Sequence, residues 1–276
     1  MRVQNAAVAI ALLTVIACKK QETPPSSTNA VPSASEALVT KPAPPAPKGP
    51  KADDFKLPTL GAVPVPADNP QSEEKVALGH QLFFDPRLSV DGSRSCYSCH
   101  LNEDGTGGHL PIAVGAKEKQ LTRHSPVLWN VGYLPRFYWD GRSESLEAQG
   151  LAAWAGGNMG VGKENLAAKA KEISAIPAYK KAFAKVFPGK EVTPEIVMQA
   201  IAAYERTIVC NDTRYDKFAS GQKTALDDSE KRGLELFMGK AGCVTCHAPP
   251  HFSTAFLAKD GAYFNTGRGT IGKKDE

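Results

Sequence analysis

Apolar residues recur along this chain at helical spacing, and no stretch sustains the alternation of a strand. Val197, Ile201, Tyr204 and Ile208 step by four, three and four, which puts them on one face of a helix. Thr193-Pro194-Glu195 supplies its start: a capping hydroxyl, a proline at the first helical position and an acid in the first turn. Ser72 caps a second predicted helix running through Glu73, Glu74, Val76, Leu78, Leu82 and Phe83. Residues 163–187 also carry a helical pattern, interrupted at Pro177. The pattern predicts an all-α body with long irregular loops.

The N-terminus breaks this pattern. Met1-Arg2 leads into an apolar run over residues 6–17, too short to span a bilayer but suited to an export signal. Val15-Ile16-Ala17-Cys18 has the form of a bacterial lipobox, so residues 1–17 are read as a lipoprotein signal peptide and Cys18 as the lipidated residue. That predicts a periplasmic protein that meets the membrane only through its lipid anchor. Residues 18–70 hold more than half of the 21 prolines, with Ser, Ala and Thr between them. Such a segment has little to bury and is read as a disordered, semi-rigid tether.

Length and charge then set limits. The 276 residues, 42% of them hydrophobic, are enough for one or two domains with a sizeable core. A net charge of +4, spread along the chain, gives no dedicated nucleic-acid surface.

The six cysteines carry the chemistry. Gly79-His80-Gln81-Leu82-Phe83 precedes Cys96-Tyr97-Ser98-Cys99-His100, and Gly233-Leu234-Glu235-Leu236-Phe237 precedes Cys243-Val244-Thr245-Cys246-His247. One unit, a helix followed by C-x-x-C-H, therefore occurs twice. Two cysteines three positions apart can bond both vinyl groups of one haem, and the adjoining histidine then reaches the iron. Zinc is the rival for C-x-x-C pairs, but structural zinc pairs usually lie about 15–20 residues apart, and these lie in opposite halves of the chain. Two covalent c-type haems are predicted, with Cys96, Cys99, Cys243 and Cys246 as attachment points and His100 and His247 as iron ligands. Cys210 is read as a plain, at least half-buried thiol.

Further segments resemble the bacterial dihaem cytochrome c peroxidase family, which also contains MauG. They are Leu78-Gly79, the run Leu82-Phe83-Phe84-Asp85-Pro86-Arg87-Leu88-Ser89, Arg123-His124-Ser125-Pro126, Trp139-Asp140-Gly141-Arg142, Leu146-Glu147-Ala148-Gln149 and Ala203-Tyr204-Glu205-Arg206-Thr207. The resemblance covers residues 71–260. It implies two cytochrome c-like domains, an N-terminal peroxidatic one (71–215) and a C-terminal electron-transfer one (216–276). It further implies that the first haem reduces hydrogen peroxide to water while the second takes electrons from a small donor, a cytochrome c or cupredoxin. Gln149 corresponds to a distal-pocket glutamine. Trp139 corresponds to a tryptophan between the haems, with core packing as its alternative use. The resemblance also allows a homodimer.

Three departures from the family pattern stand out. The stretch Gly157-Asn158-Met159-Gly160 puts Asn158 where relatives carry a distal acid, with Glu164 a nearby substitute. His124 replaces the asparagine that helps hold an interdomain calcium, which puts calcium in doubt. Little sequence follows His247, and no methionine follows Met238, so the second domain is read as a truncated one without its usual axial ligand. In addition, Ala116 matches the position of a blocking histidine in relatives that need reductive activation, and the nearby His109 is read as exposed or loop-bonded. These features predict an open or water-bound first iron. The leading expectation is a dihaem peroxidase. The alternatives are an electron carrier without turnover and a MauG-like oxidase of a protein side chain.

Overall fold

The computed structural model of the chain describes residues 49–257 together with Tyr263 and Phe264. Cys18, the signal peptide and the greater part of the predicted tether lie outside the described residues. Among the described residues the secondary structure is helical, with short 3-10 turns and no strand.

Seven helices form among the described residues; five fall where the pattern predicts helix, whereas Leu146–Ala155 and Arg214–Ala219 do not correspond to a predicted element. Helix α1 (Glu73–Phe83) starts at Ser72, whose hydroxyl accepts from Lys75 N–H at 3.2 Å. Helix α2 spans Leu146–Ala155. The 163–187 stretch divides at Pro177 into α3 (Leu166–Ala175) and α4 (Pro177–Val186). Thr193 caps α5 (Pro194–Glu205), with Pro194 in its first turn. Helix α5 ends before Ile208, the last residue of its periodic stripe. Helices α6 (Arg214–Ala219) and α7 (Asp228–Met238) complete the set, each opened by a reciprocal capping box.

Helix α5 is the central element: α1 and α2 both pack on it, and α4 packs on α1. Val197, Ile201, Ala200 and Ala203 bury the face of α5 against Leu78, Leu82 and Phe83 of α1. The approach is close enough that a Cβ at Gly79 would collide with the Ala200 carbonyl. The glycine of the Leu78-Gly79 pair is thus required by backbone contact between two helices.

A second, much smaller apolar cluster joins Phe218 of α6 and Leu234 of α7 to Ala52, with Phe55, Leu57 and Met238 around it. This corrects the reading of 18–70 as a tether throughout. Ala52 is only 1% exposed, and its N–H donates to Glu235 Oε1 at 3.0 Å. Further along, Gly61 O accepts from the Tyr133 hydroxyl at 2.7 Å, and Asn69 is buried between Glu147 and α5. Residues 51–69 therefore form a strap from the α6–α7 cluster to the α1–α5 body. Proline excludes helix and central strand from this segment, but it does not prevent an extended run from packing when a few apolar side chains have a surface to meet.

Candidate haem sites

The two C-x-x-C-H segments fold alike. Each begins as a 3-10 turn, Cys96–Ser98 and Cys243–Thr245, shortly after a helix of matching sequence. In both, the histidine backbone N–H turns back to the first cysteine's carbonyl, His100 to Cys96 at 3.2 Å and His247 to Cys243 at 2.9 Å. The histidine side chains are held in the same manner. His100 Nδ1 lies 3.2 Å from Thr106 O, and His247 Nδ1 lies 3.0 Å from Phe252 O. A carbonyl is only an acceptor, so in each neutral ring Nδ1 is the protonated nitrogen and Nε2 keeps its lone pair for a metal.

This is the ligand arrangement a c-type haem requires: two thiols, an adjacent imidazole, and a backbone acceptor that sets the tautomer. All four cysteines are unpaired with one another. Burial pushes the Cys96 thiol up, reinforced by the nearby Glu205, and burial also raises Cys99. Burial lowers the pKa of His100 and so favours its neutral, ligating form. Among the described residues no group of three or more His, Cys, Asp or Glu is arranged to hold a metal ion. The two cysteine pairs therefore do not converge on the four-ligand cage that structural zinc needs.

The loops around the first site bring several of the predicted residues together. Residues 113–121 fold back on themselves, with Gly115 N–H to Lys119 O at 2.8 Å and Leu121 N–H to Ala113 O at 2.9 Å. Val114 O lies 3.8 Å from Cys99 Sγ. Gly115 presses so closely on Gly157 and Asn158 that a Cβ would collide with the Gly157 carbonyl, and Ala116 N–H donates to Asn158 O at 3.0 Å. Ala116 and Asn158, singled out from separate parts of the sequence, are thus bonded neighbours beside Cys99. Gln149 is half-buried on α2, which ends at Ala155 shortly before Asn158.

Other predicted residues lie elsewhere. Trp139 is 58% exposed, and its indole N–H donates to His124 O at 3.1 Å, which excludes core packing as its role. His109 is exposed and paired with Asp104 at 3.2 Å. Glu164 is exposed in the turn before α3, its carboxylate accepting from Asn165 Nδ2 at 3.2 Å, so it is not drawn into the Asn158 loop. Cys210 is half-buried. Its backbone is held by the Asn130 amide, N–H to Oδ1 at 2.9 Å.

Sequence reasoning passed over a buried polar centre behind the first site. Arg206 forms two bonds to Glu147, at 2.8 and 3.1 Å, and Asn69 Nδ2 adds a third to Glu147 Oε1 at 2.7 Å. Burial works to raise the Glu147 pKa, but the bonds from Arg206 and Asn69 outweigh it and hold the carboxyl below its ordinary value. Glu205, the next residue, is buried too, and its pKa is pushed up to about 8 by that burial. Both acids lie within segments already noted for resemblance. Which acid meets the arginine is settled by the direction each side chain takes from its helix. The sequence also gave no sign that His251 would stack on Phe256, with centroids 4.1 Å apart, beside Tyr133 at 4.8 Å.

Residues 73–224 match the family model for di-haem cytochrome c peroxidase (CCP_MauG). The chain is 42% identical over 213 residues to the cytochrome-c peroxidase IdrP1 of Pseudomonas sp. strain SCT, covering 76% of this chain and 54% of that one. It is 39% identical to the methylamine utilization protein MauG of Methylorubrum extorquens, covering 70% of this chain and 54% of that protein. The crystal structure of a MauG-like protein associated with microbial copper homeostasis superposes with a TM-score of 0.68 at 32% identity, over 75% of this chain and 61% of that one. The chain thus spans about half the length of these curated relatives. Twin C-x-x-C-H turns of one build, set in a helical body that matches these proteins, place the chain in the di-haem cytochrome c peroxidase family.

Proposed function

We propose that the chain is a periplasmic peroxidase that reduces hydrogen peroxide to water. Two covalent haems would be held through Cys96, Cys99 and His100 in residues 71–215 and through Cys243, Cys246 and His247 in residues 216–276. The observation that carries this reading is the shared histidine geometry: both imidazoles are tied through Nδ1 to a backbone carbonyl and leave Nε2 to a metal. The haems would supply an iron that binds peroxide and the electron-storing capacity that a two-electron reduction needs.

The chain's own residues do the rest. Thr106 O fixes the His100 ring, and the Thr106 hydroxyl accepts from Leu128 N–H at 2.9 Å, so the loop beneath the ring is anchored to the core. Asn158 and Gln149 carry amides that can orient a bound peroxide by donating and accepting hydrogen bonds. Neither amide shuttles a proton at neutral pH, so water supplies the protons. Ala116 carries no ligating side chain, so this position would not compete with peroxide for an iron held by His100. A small donor protein, a cytochrome c or cupredoxin, would deliver electrons to the His247 side, and a lipid on Cys18 would hold the protein at the membrane.

Turnover is the test. Chain carrying both haems should consume peroxide with a reduced cytochrome c or cupredoxin as donor, oxidising two donors per peroxide. Donor oxidation that does not respond to peroxide would leave an electron carrier instead. The exposure of Trp139 favours a second reading, in which oxidising equivalents pass to a partner protein, as in a MauG-like oxidase. Peroxide-dependent modification of a partner side chain would single that out.

A further inference from the structure

Tyr97 stands between the two attachment cysteines of the first site, and its ring does not stand alone. Its centroid is 4.7 Å from that of Phe84. Phe84 in turn lies 6.3 Å from Tyr204, 5.3 Å from Phe83 and 4.8 Å from His80. Tyr204 lies 5.2 Å from Phe83 and 5.0 Å from His80 in edge-on contact. Rings at these separations are in van der Waals contact, so electron transfer along them needs only short steps. The cluster begins at a haem-attachment loop and ends at the surface, where His80 is exposed.

That surface end opens into a hollow of about 600 Å³ lined by His80, Phe84, Arg87, Ala178 and Tyr179. Its charges are already spent on one another. Arg87 binds Asp85 through Nε at 2.9 Å and Nη2 at 2.5 Å, and the Tyr179 hydroxyl donates to Asp85 Oδ2 at 2.7 Å. What a visitor meets is the half-exposed Arg87 guanidinium, already paired with Asp85, beside His80, Gln81 and the partly buried Phe84 ring. On this surface an aromatic ring can stack on the guanidinium while its hydroxyl bonds to the Gln81 amide or the His80 imidazole.

We propose that Tyr97 and Tyr204, bridged by Phe84, form a relay between the first haem and this hollow, and that a small neutral phenol bound there is a second electron donor. The proposal rests on the peroxidase reading. Each hydrogen peroxide takes two electrons and two protons to give two waters. Tyr97 supplies one electron toward the first site, and its phenolic proton passes to Glu103, whose Oε2 accepts from the Tyr97 hydroxyl at 3.2 Å. Tyr97 then regains an electron from Tyr204 and its proton from Glu103, while half-buried Tyr204 releases its own proton to water. The phenol in the hollow gives one electron and one proton to restore Tyr204. Two phenols thus leave as phenoxyl radicals for each peroxide reduced.

Haem-loaded chain treated with peroxide and a nitrone spin trap, without donor protein, should carry adducts on Tyr97 and Tyr204 by tandem mass spectrometry. Adding 4-methoxyphenol should suppress both. Tyr97→Phe should remove the adduct at Tyr204 as well, whereas Tyr204→Phe should leave the one at Tyr97. Ala178→Trp, at an exposed helix position, fills the hollow and should raise the methoxyphenol needed for suppression by about tenfold. Peroxide consumed without tyrosine adducts would overturn the relay and leave the peroxidase reading standing. So would a Tyr204 adduct that survives Tyr97→Phe. Unchanged suppression in Ala178→Trp would overturn the hollow as the donor site. Failure to consume peroxide with any donor would overturn the peroxidase reading and the relay with it.

Discussion

Arg206→Met removes the cation from a buried ion pair, and the consequence follows from its surroundings. The Arg206 side chain is 5% exposed and Glu147 18%, and the pair is bidentate at 2.8 and 3.1 Å. Taking away one partner leaves Glu147 a buried carboxylate whose remaining side-chain hydrogen bond is from Asn69, and breaking buried pairs in this way costs about 3–5 kcal/mol. A surface pair would cost no more than about 1 kcal/mol. The double variant Glu147→Gln, Arg206→Met removes both charges, so its loss should be smaller than the sum of the single losses. Urea unfolding of the haem-loaded chain, followed by circular dichroism, measures all three. The pH dependence has a definite sign. Because the folded Glu147 pKa is depressed, its contribution is complete above the ordinary value of 4.5 and is lost as pH falls through the lower folded value. Glu147→Gln should therefore flatten the decline of stability with acid in that window. A single-variant loss below about 1 kcal/mol, or strict additivity, would refute the argument that this pair is a desolvated unit.

Other changes test other parts of the structure. Cys99→Ala and Cys246→Ala should each lower the pyridine haemochrome count from two haems per chain to one; an unchanged count in either would disconnect that turn from haem. Gly79→Ala should destabilise by at least about 1–3 kcal/mol, because its methyl meets the Ala200 carbonyl and α1 must move off α5; a neutral result in urea would contradict that contact. Ala52→Asp places a carboxylate in the small α6–α7 cluster and should weaken the strap by about 1–3 kcal/mol, seen as faster limited proteolysis within residues 49–70. Electron paramagnetic resonance of the oxidised, haem-loaded chain should show a high-spin signal from the first iron, since Ala116 presents no ligand. A purely low-spin spectrum would mean that another residue fills that position.

The two C-x-x-C-H turns and several helix boundaries, at Ser72, Pro177 and Thr193, could be read from the sequence because the information is local. A capping hydroxyl, a first-turn proline and a three- and four-residue apolar step act within one or two turns, and C-x-x-C-H places its three functional atoms within five residues. Local pattern carried less where distant segments meet. The strap is proline-rich and reads as unstructured, yet Ala52 is buried because α6 and α7 present an apolar surface that only exists once they have folded. Trp139 reads equally well as a core residue, and it is the turn at Tyr138–Gly141 that leaves its indole facing outward. The meeting of Ala116 with Asn158 and the choice of Glu147 over Glu205 by Arg206 depend on which loops and helix faces end up adjacent. Composition and spacing therefore determined the chemistry this chain can hold. The packing around α5 decided which charges are paired, which aromatic rings touch and which side chains stay open to solvent, because burial and contact belong to the assembled surface and not to any single segment.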